Sequence, residues 1–307
     1  WGYADGEEWG KDYEGWEVCD SGRSQSPINI KRAYWTAFWH SPWAEKYLAK
    51  DLHPFVWQVG GKEAEEKEPD EKTEQSVHFD GHKLYAPYKT FDIKAEWADG
   101  QRYHLEDMAF HTPSEHTVDG RHYPLEVQFI HRAWEQTEDG GNKKHELIVS
   151  VFFSHALESA HFVSALAEGV KQAAEEHDGD YDKLKLNLES KGVELHMHSE
   201  GFQQLAREVL MQVEMPLEID GALNHEDNSK HPVKTYRART HQFALPDATV
   251  PNYRAYWSYK GSRTEPPCTE DVQWVLLKHS LPVSPTDLHA ISSLQGKNAR
   301  KTQPLHH

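Results

Sequence analysis

Two stretches of the chain alternate apolar and polar side chains, and this pattern constrains the fold more than any other feature. Residues 126–131 and 146–153 are rich in β-branched and aromatic residues with a period of two. That period puts alternate side chains on opposite faces of a sheet, which is typical of β-strands. Asp-Gly turns favour an antiparallel meander over 77–153. These turns lie at 98–100, 118–120 and 139–141.

A helical period of apolar residues follows the strands. One apolar stripe spans 162–170 and a second spans 202–210, at the spacing of one face of an amphipathic helix. The polar segments 175–183 and 224–234 are predicted as loops, and strand-like sequence returns over 253–277. The chain therefore combines strands with a smaller number of helices.

The organisation along the chain favours one domain. The sequence contains no internal repeat and no clear linker, so we predict a single domain over 1–307. The stretch at about 60–75 is dense in Glu and Lys. A run of mixed charge of this kind is usually solvated, so an acidic loop is predicted there.

The charge balance excludes some classes of function. The chain has 33 Lys and Arg against 50 Asp and Glu, a formal net charge of −17. A surface that binds nucleic acid or an anionic membrane would be basic, so neither partner is expected. The sequence has no apolar run of about 18 residues, so no membrane span is expected. It opens at Trp1 without a charged and apolar leader, and we expect any targeting peptide to have been removed.

The only two cysteines, Cys19 and Cys268, lie far apart in the sequence. Two free thiols and one long-range disulfide are both compatible with this arrangement. The spacing alone does not decide between them.

An ordered set of motifs resembles those of the α-class carbonic anhydrases. The set begins with Trp1-Gly2-Tyr3 and continues at 25–30 (QSPINI), 110–120 (FHTPSEHTVDG), 259–270 (YKGSRTEPPCTE) and 298–305 (NARKTQPL). It covers the chain from its first residue nearly to its last. The resemblance implies a mainly β fold of the α+β type, a single α-carbonic-anhydrase-like domain. Such a domain has a large, twisted, mostly antiparallel central sheet, peripheral helices and a conical pocket that reaches the centre of the sheet.

The same resemblance implies a disulfide between Cys19 and Cys268. Many secreted members of the family join a cysteine near the start to the one that follows the Pro-Pro pair. In the chain-entropy model, a closed loop of this length stabilises a protein by restricting its unfolded chain. A disulfide implies an oxidising compartment, so we expect a secreted protein or one in an organelle lumen.

The metal site of the family is expected to be lost. Active members hold Zn²⁺ with three histidines and leave a fourth position for water, whose pKa falls to about 7. Aligned on the motif at 110–120, the second ligand position is His111, but the first is Ala109 and the third is Gln128. A methyl group cannot coordinate, and a neutral amide is a poor zinc ligand. We therefore expect no zinc cofactor and no CO₂ hydration by the family's mechanism.

Other pocket positions are partly retained. Arg263 replaces a small apolar residue before the family's catalytic threonine, Thr264, and Glu265 follows it. This cation and this carboxylate are expected to crowd the CO₂ site and to pair with each other. Glu115 and Thr264, which orient the zinc-bound hydroxide in active relatives, are present, and His82 roughly matches the proton-shuttle position. The apolar pocket wall is matched by Ile130, Ile148, Val272 and Trp274.

A second hypothesis keeps CO₂ hydration with an altered ligand set that recruits His104, His131 or Glu106. Strand parity argues against it, because residues next to the ligand positions point to the other face of a strand. Glu126 accepts a hydrogen bond from the third ligand's ring in relatives. Here we expect it to accept one from the Gln128 amide instead.

The favoured interpretation is an inactive carbonic-anhydrase-like protein used as a structural or protein-binding subunit. Residues 155–252 exceed what the family places between its motifs, which predicts a large helical insertion that binds another protein. The His-x-His spacing at 196–198 is interpreted as part of a polar exposed segment of this insertion rather than as a metal site. A third hypothesis, an acidic matrix protein that binds Ca²⁺ weakly, has no calcium-loop motif to support it.

Overall fold

Strands dominate the part of the chain that the structure describes. The computed structural model describes residues 1–5, 8–31, 56–59, 74–87, 93–96, 102–136, 142–191, 195–198 and 256–304. The strands are β1 (Asn29–Ile30), β2 (Val56–Val59), β3 (Glu74–Phe79), β4 (Leu84–Pro87), β5 (Ile93–Glu96), β6 (Arg102–His111), β7 (Thr117–Val118), β8 (Arg121–His122), β9 (Leu125–Gln136), β10 (Asn142–His155), β11 (Leu195–His198), β12 (Tyr256–Ser262), β13 (Glu270–Leu277) and β14 (Leu281–Val283). The helices are α1 (Trp9–Asp12), α2 (Val18–Ser21), α3 (His161–Glu175), α4 (Tyr181–Lys191) and α5 (Pro285–Gln295).

Eleven of the described strands form one large mixed sheet. Its main path runs β11-β3-β4-β6-β9-β10-β13-β12, while β5 joins β6, β2 joins β5, and β14 joins β10. Most neighbours are antiparallel, but β10 runs parallel to β13 and to β14. The predicted large, mostly antiparallel sheet is confirmed. A separate small sheet contains β1, β7 and β8.

β9 and β10 form the centre of the large sheet. They contain the predicted runs 126–131 and 146–153 and pair antiparallel, with Ile148 opposite Ile130. The alternation of each strand divides its side chains between two buried clusters. Val127 belongs to the cluster that also contains helix residues, whereas Ile130 and Ile148 belong to the cluster on the other face. The period of two therefore decides which side chains face the helices and which face the pocket.

Helices cover one face of the sheet. The apolar stripe predicted at 162–170 is confirmed in α3, because Phe162, Leu166 and Val170 are fully buried in the helix-side core. α5 packs against α3 and α4. The Ser284 side chain accepts a hydrogen bond from the Asp287 N–H and so caps α5. No described helix is long and apolar enough to cross a bilayer.

Two details of the insertion differ from the sequence-based prediction. The loop predicted over 175–183 ends earlier, because α4 begins at Tyr181. The Asp180 carboxylate accepts hydrogen bonds from the backbone N–H groups of Asp182 and Lys183, as an N-cap does. The exposed segment predicted at 196–198 lies in strand β11, which pairs with β3.

Other predictions fall on residues that the structure does not describe. The second apolar stripe at 202–210, the polar loop at 224–234 and the rest of the predicted insertion from 199 to 252 lie outside the described residues. The acidic loop at about 60–75 also lies outside them, except for its last two residues. Those two, Glu74 and Gln75, begin strand β3 rather than belonging to a loop.

The disulfide between Cys19 and Cys268 is present. Both cysteines are buried in a cluster with Trp9. Next to them the buried Arg300 donates from Nη1 to the Ser26 carbonyl at 2.7 Å and from Nη2 to the Cys19 carbonyl at 2.8 Å. Segments that are distant in sequence therefore meet around the disulfide. The disulfide is compatible with an oxidising extracellular environment.

Candidate functional site

Two neighbouring strands bring the three ligand positions of the family together. In the register of β6 against β9, Ala109 lies directly opposite Gln128, and His111 lies opposite Glu126. The period of two turns Ala109 and His111 to the same face of β6. All four side chains are buried. One alanine, one histidine and one glutamine therefore form a single compact group at the centre of the sheet.

His111 has a fixed ring orientation. Its Nδ1 donates to the Asn298 carbonyl oxygen at 2.8 Å, since a carbonyl can only accept. Its Nε2 is buried and has no hydrogen-bond partner among the described residues, although Glu115 Oε2 lies 3.7 Å away. Buried side-chain nitrogens are nearly always paired, so this atom is an exception. The ring presents one free nitrogen to the pocket side of β6.

Gln128 is held by two carboxylates. Its Nε2 donates to Glu115 Oε2 at 2.8 Å and to Glu126 Oε1 at 3.2 Å. The second bond is the one that the sequence predicted. Glu115 Oε1 also accepts the backbone N–H of Arg300 at 3.1 Å. An amide N–H therefore takes the place of the imidazole N–H that Glu126 receives in active relatives.

Glu126 is the centre of this buried network. It accepts hydrogen bonds from Ser150 Oγ at 2.7 Å and from the His116 backbone N–H and Nδ1 at 3.0 and 2.8 Å. Burial raises the pKa of Glu126, but the charge of His116 and the hydrogen bonds from His116 and Ser150 outweigh burial and lower it to about 2. Glu126 is therefore ionised at neutral pH and holds the surrounding donors in place.

The donors at the ligand positions do not fit a zinc ion. The family's site needs three imidazoles, and here His111 offers one free ring nitrogen beside the Ala109 methyl group and the Gln128 amide. The Gln128 side chain turns its N–H group toward carboxylates, which is the arrangement of a donor and not of a metal ligand. Among the described residues, no group of three His, Cys, Asp or Glu side chains is placed to hold a metal. No catalytic step through zinc follows from these side chains.

His131 is directed away from the group, as strand parity predicts. It lies opposite Leu105, which belongs to the helix-side core, and its Nδ1 donates to the Phe129 carbonyl at 2.9 Å. Burial lowers the pKa of His131 to about 3, so its ring is neutral at physiological pH. It has the properties of a structural histidine within the sheet.

For the other two alternative ligands, His104 and Glu106, strand parity predicts the wrong face of the sheet. The register of β6 against β9 shifts at Glu106, which is a β-bulge, and the alternation of faces changes there. Glu106 forms an ion pair with Arg132, and His104 lies directly opposite Arg132, so both share its face. The residues opposite His104 and Ala109 are nevertheless four positions apart on β9, or about 13 Å at the usual rise per residue. His104 therefore does not reach the group around His111, and the Glu106 carboxylate is paired with Arg132.

A charged cluster that the sequence predicted only in part lies beside His111. Lys83 Nζ pairs with Glu265 Oε1, and the Tyr3 hydroxyl donates to the same carboxylate oxygen at 3.2 Å. The predicted pair of Arg263 and Glu265 is also present, with 3.8 Å between Nη2 and Oε2, but Lys83 is the closer partner. The Tyr3 ring meets the His111 ring edge to face, with 6.1 Å between centroids. The space above the former ligand positions is therefore bordered by paired charges.

The electrostatics of this cluster follow from its partners. Burial raises the pKa of Glu265, but the charges of Lys83 and Arg263 and the hydrogen bond from Lys83 lower it to about 2. Burial and the nearby Glu265 raise the pKa of the Tyr3 hydroxyl well above its usual value. Asp107 differs from both, because its burial outweighs the attraction of Lys83 and Arg263 and raises its pKa to about 6.

We expect Asp107→Asn to stabilise the protein at high pH. The pKa of about 6 in the folded state exceeds the usual unfolded value of about 3.9, so folding takes up a proton between these values. Stability contributed by the protonated form is complete below about pH 4 and is lost as the pH rises through about 6. The variant should therefore gain about 2–3 kcal/mol at pH 8 and almost nothing at pH 4, measured by urea unfolding.

Asp287→Asn serves as the control for this prediction. Hydrogen bonds from Lys171 and Ser159 lower the pKa of Asp287 despite its burial. Removal of that charge should destabilise the protein at pH 8, whereas Asp107→Asn should stabilise it. If Asp107→Asn lost stability at pH 8 relative to pH 4, its carboxylate would be stabilising and our account of its environment would be wrong.

The remaining predicted site residues occupy the same region. Thr264 is buried just after the end of β12, and His82 stacks on Trp1 with 4.0 Å between ring centroids. The predicted wall residues are buried in one cluster with Ala109, where they serve packing. They are Ile130, Ile148, Val272 and Trp274.

An open cavity of about 300 Å³ remains beside the charged cluster. Its lining combines charged and apolar side chains from β9, β10, the segment before β13 and the start of β13. The lining includes Arg132, Glu146, Arg263, Glu265, Pro266 and Val272. Arg132 is engaged by Glu146, whose Oε1 accepts from Arg132 Nε at 3.0 Å. The sequence predicted Arg263 and Glu265 in the pocket, but no local pattern indicated Arg132 or Glu146.

Comparisons with known proteins agree with the motifs and the fold. The sequence profile described as eukaryotic-type carbonic anhydrase matches residues 4–193 and 208–307. A carbonic anhydrase from Klebsiella pneumoniae is 24% identical over 300 residues, 97% of this chain and 84% of that protein. The human carbonic anhydrase-related protein is 36% identical over 77 residues, 20% of this chain and 26% of that protein. The solved structure of an Aspergillus oryzae α-carbonic anhydrase has a TM-score of 0.56 and 19% identity, over 96% of this chain and 88% of that one.

The matched residues bear on the predicted insertion. The profile includes 161–175 and 181–191, so helices α3 and α4 lie in the part of the chain that is shared with the family. The profile leaves 194–207 unmatched. The outline of an insertion between 155 and 252 stays a prediction, and these two helices are not specific to it.

Proposed function

The chain belongs to the eukaryotic-type carbonic anhydrase family, and we propose that it is a member without zinc-dependent CO₂ hydration that serves as a structural or protein-binding subunit. One observation carries the first part of the proposal. Ala109 and Gln128 face each other across β6 and β9, and the Gln128 amide N–H is committed to Glu115 and Glu126. A single free imidazole nitrogen, that of His111, is too few donors for the family's metal chemistry.

The charged cluster supports the same conclusion. In active relatives the pocket must admit CO₂ and expose a metal-bound water. Here Lys83, Glu265 and Tyr3 are bonded to one another beside His111. Separating the ion pair would leave a largely buried charge without its partner, which typically costs about 3–5 kcal/mol. The ion pair between Lys83 and Glu265 is therefore expected to remain formed.

Metal analysis together with a CO₂-hydration assay tests this part of the proposal. We expect the purified wild-type chain, dialysed against buffer with micromolar zinc, to carry far less than one zinc per chain. We also expect its hydration rate to equal that of a heat-inactivated sample. One zinc per chain together with chelator-sensitive hydration would overturn the proposal. That result would support the second hypothesis, CO₂ hydration with an altered set of metal ligands.

The binding role is proposed for the segment 155–252. In its described part, α3 has its apolar stripe in the core, so this helix face is not available to a partner. Two large apolar side chains of the segment are exposed instead, Leu157 at 98% and Leu186 at 65%. A variant without residues 199–252 would keep α3 and α4. Partner capture by this variant is therefore compared with partner capture by the full chain, and the variant should capture less.

A further inference from the structure

The cavity of about 300 Å³ contains a cation that lacks a full set of acceptors. Arg263 lines this cavity, and its Nη1 is buried with no hydrogen-bond partner among the described residues. Its Nη2 lies 3.8 Å from Glu265 Oε2, which is an ion-pair distance but longer than a hydrogen bond. Buried N–H donors are nearly always satisfied, and a guanidinium has five of them. The unpaired Nη1 indicates a place for an acceptor that none of the described residues supplies.

Neighbouring charges are already committed to partners. Arg132 is bonded to Glu146 and Glu106, while Glu265 is bonded to Lys83. The Glu270 carboxylate, also in the lining, accepts the Ser24 N–H at 2.7 Å and the Gln25 amide at 3.2 Å. Among these groups only Arg263 retains an unpaired buried donor. A ligand acceptor that enters the cavity would therefore bond to Arg263.

The backbone that carries the Arg263 side chain is held in place before any ligand arrives. The Arg263 backbone N–H donates to the Thr269 carbonyl at 2.9 Å, and its carbonyl accepts from Ser262 Oγ at 2.7 Å. The same segment is joined covalently to Cys19 through Cys268. A fixed backbone reduces the conformational entropy that is lost on binding, which favours affinity for a small ligand.

The rest of the lining indicates the charge and size of that ligand. Pro266, Pro267 and Val272 supply apolar surface. The lining also has four carboxylates, those of Glu146, Glu265, Glu270 and Asp271, of which the first three have the partners named above. A multiply charged anion would meet these carboxylates, so a single negative charge with an apolar body fits better. The volume lies at the lower end for small-molecule pockets, which suits a compact ligand.

We propose that this cavity binds a small monocarboxylate, whose carboxylate accepts a hydrogen bond from Arg263 Nη1 and whose apolar part packs on Pro266, Pro267 and Val272. The site needs neither a metal ion nor a protein partner, so it goes beyond the proposed function and does not depend on it. Nothing in the binding step is covalent. The chain would act here as a receptor for an organic acid.

Calorimetric titration of the full-length protein in EDTA, with benzoate as the probe and benzamide as its neutral isostere, tests the proposal. We expect one benzoate per chain, bound about 10- to 100-fold more tightly than benzamide, as for hydrogen bonds that involve charged groups. Arg263→Gln should weaken benzoate binding by a similar factor and leave benzamide binding nearly unchanged. Arg121→Gln, at an exposed position on β8, is the matched control and should bind benzoate as the wild type does.

Three results would overturn the proposal: no benzoate binding to the wild type, equal affinity for benzoate and benzamide, or unchanged benzoate affinity in Arg263→Gln. Circular dichroism checks that the variant folds. If it does not, the benzoate and benzamide comparison on the wild type decides, together with Arg263→Lys, which keeps the charge and should still prefer benzoate. Because EDTA removes zinc, a failure here is distinct from a failure of the proposed function, which would appear as metal-dependent hydration.

Discussion

A chain with Ala109→His and Gln128→His is expected to bind one Zn²⁺ at least about 100-fold more tightly than the wild type, since even outer-shell partners of a metal site are worth about 10- to 100-fold in affinity. The strand register puts both new rings beside His111, whose Nε2 is already unpaired. Glu126 is placed to accept the N–H of a ring at position 128, as it now accepts the Gln128 amide. Competition against a chelating dye measures the zinc affinity.

Two controls accompany this prediction. Ala109→His alone offers two imidazoles and should gain much less, and adding His111→Ala to the double variant should remove most of the gain. A larger side chain at the buried position 109 risks overpacking, which typically costs about 1–3 kcal/mol, so each variant needs a native circular dichroism spectrum. A folded double variant without increased zinc affinity would show that the loss of two ligands is not the reason for the loss of the site.

Restoring the zinc ligands alone should not restore full CO₂-hydration activity. Arg263 and Glu265 remain beside the restored site, and Lys83 keeps Glu265 in place. We therefore expect the double variant to hydrate CO₂ slowly and to gain rate when Arg263→Leu and Glu265→Thr are added. The comparison separates the effect of lost metal ligands from the effect of the charged cluster.

Replacement of Cys19 and Cys268 by alanine is expected to lower the free energy of unfolding by about 5–6 kcal/mol in the chain-entropy model. The two cysteines are 249 residues apart in sequence, so the disulfide restricts most of the unfolded chain. The cost is large compared with the total stability of a typical domain, about 5–15 kcal/mol. Urea unfolding at constant pH, monitored by Trp fluorescence, measures the difference between the variant and the oxidised wild type.

The reduced wild type provides the matched control for the cysteine variant. With reductant present throughout, it should unfold at nearly the same urea concentration as the variant. A loss below about 1 kcal/mol would mean that the unfolded chain is already compact or that the bridge strains the folded state, in conflict with our prediction.

The group around His111 could be predicted because it depends on local patterns. The motif at 110–120 anchors β6, and a period of two then determines which residues share a face. The prediction that Gln128 would bond to Glu126 also follows from two positions on one strand, and the structure has that bond. The apolar stripe at 162–170 was predictable for the same reason. The helical spacing of its apolar residues can be seen in that short stretch of sequence, and these residues are buried.

The contacts of Lys83 and Tyr3 in the charged cluster could not be predicted, because both residues are distant from Glu265 in sequence. Lys83 and Glu265 are 182 residues apart, and Tyr3 and Glu265 are 262 apart. No propensity or periodicity relates such positions; only the tertiary fold does. The bulge at Glu106 escaped prediction for a related reason, because one extra residue in a strand changes the pairing without a distinct sequence signal.

The buried Arg300 has a consequence for the order in which the protein folds during synthesis. Its guanidinium supplies donors to carbonyl groups at Ser26 and Cys19, and its backbone N–H bonds to Glu115. Until residue 300 has been synthesised, these buried acceptors lack the donors that Arg300 supplies. Contacts of such long range also form slowly. A nascent chain that ends before Arg300 should therefore remain open to proteases and chaperones, and folding should be completed only after that residue has been made.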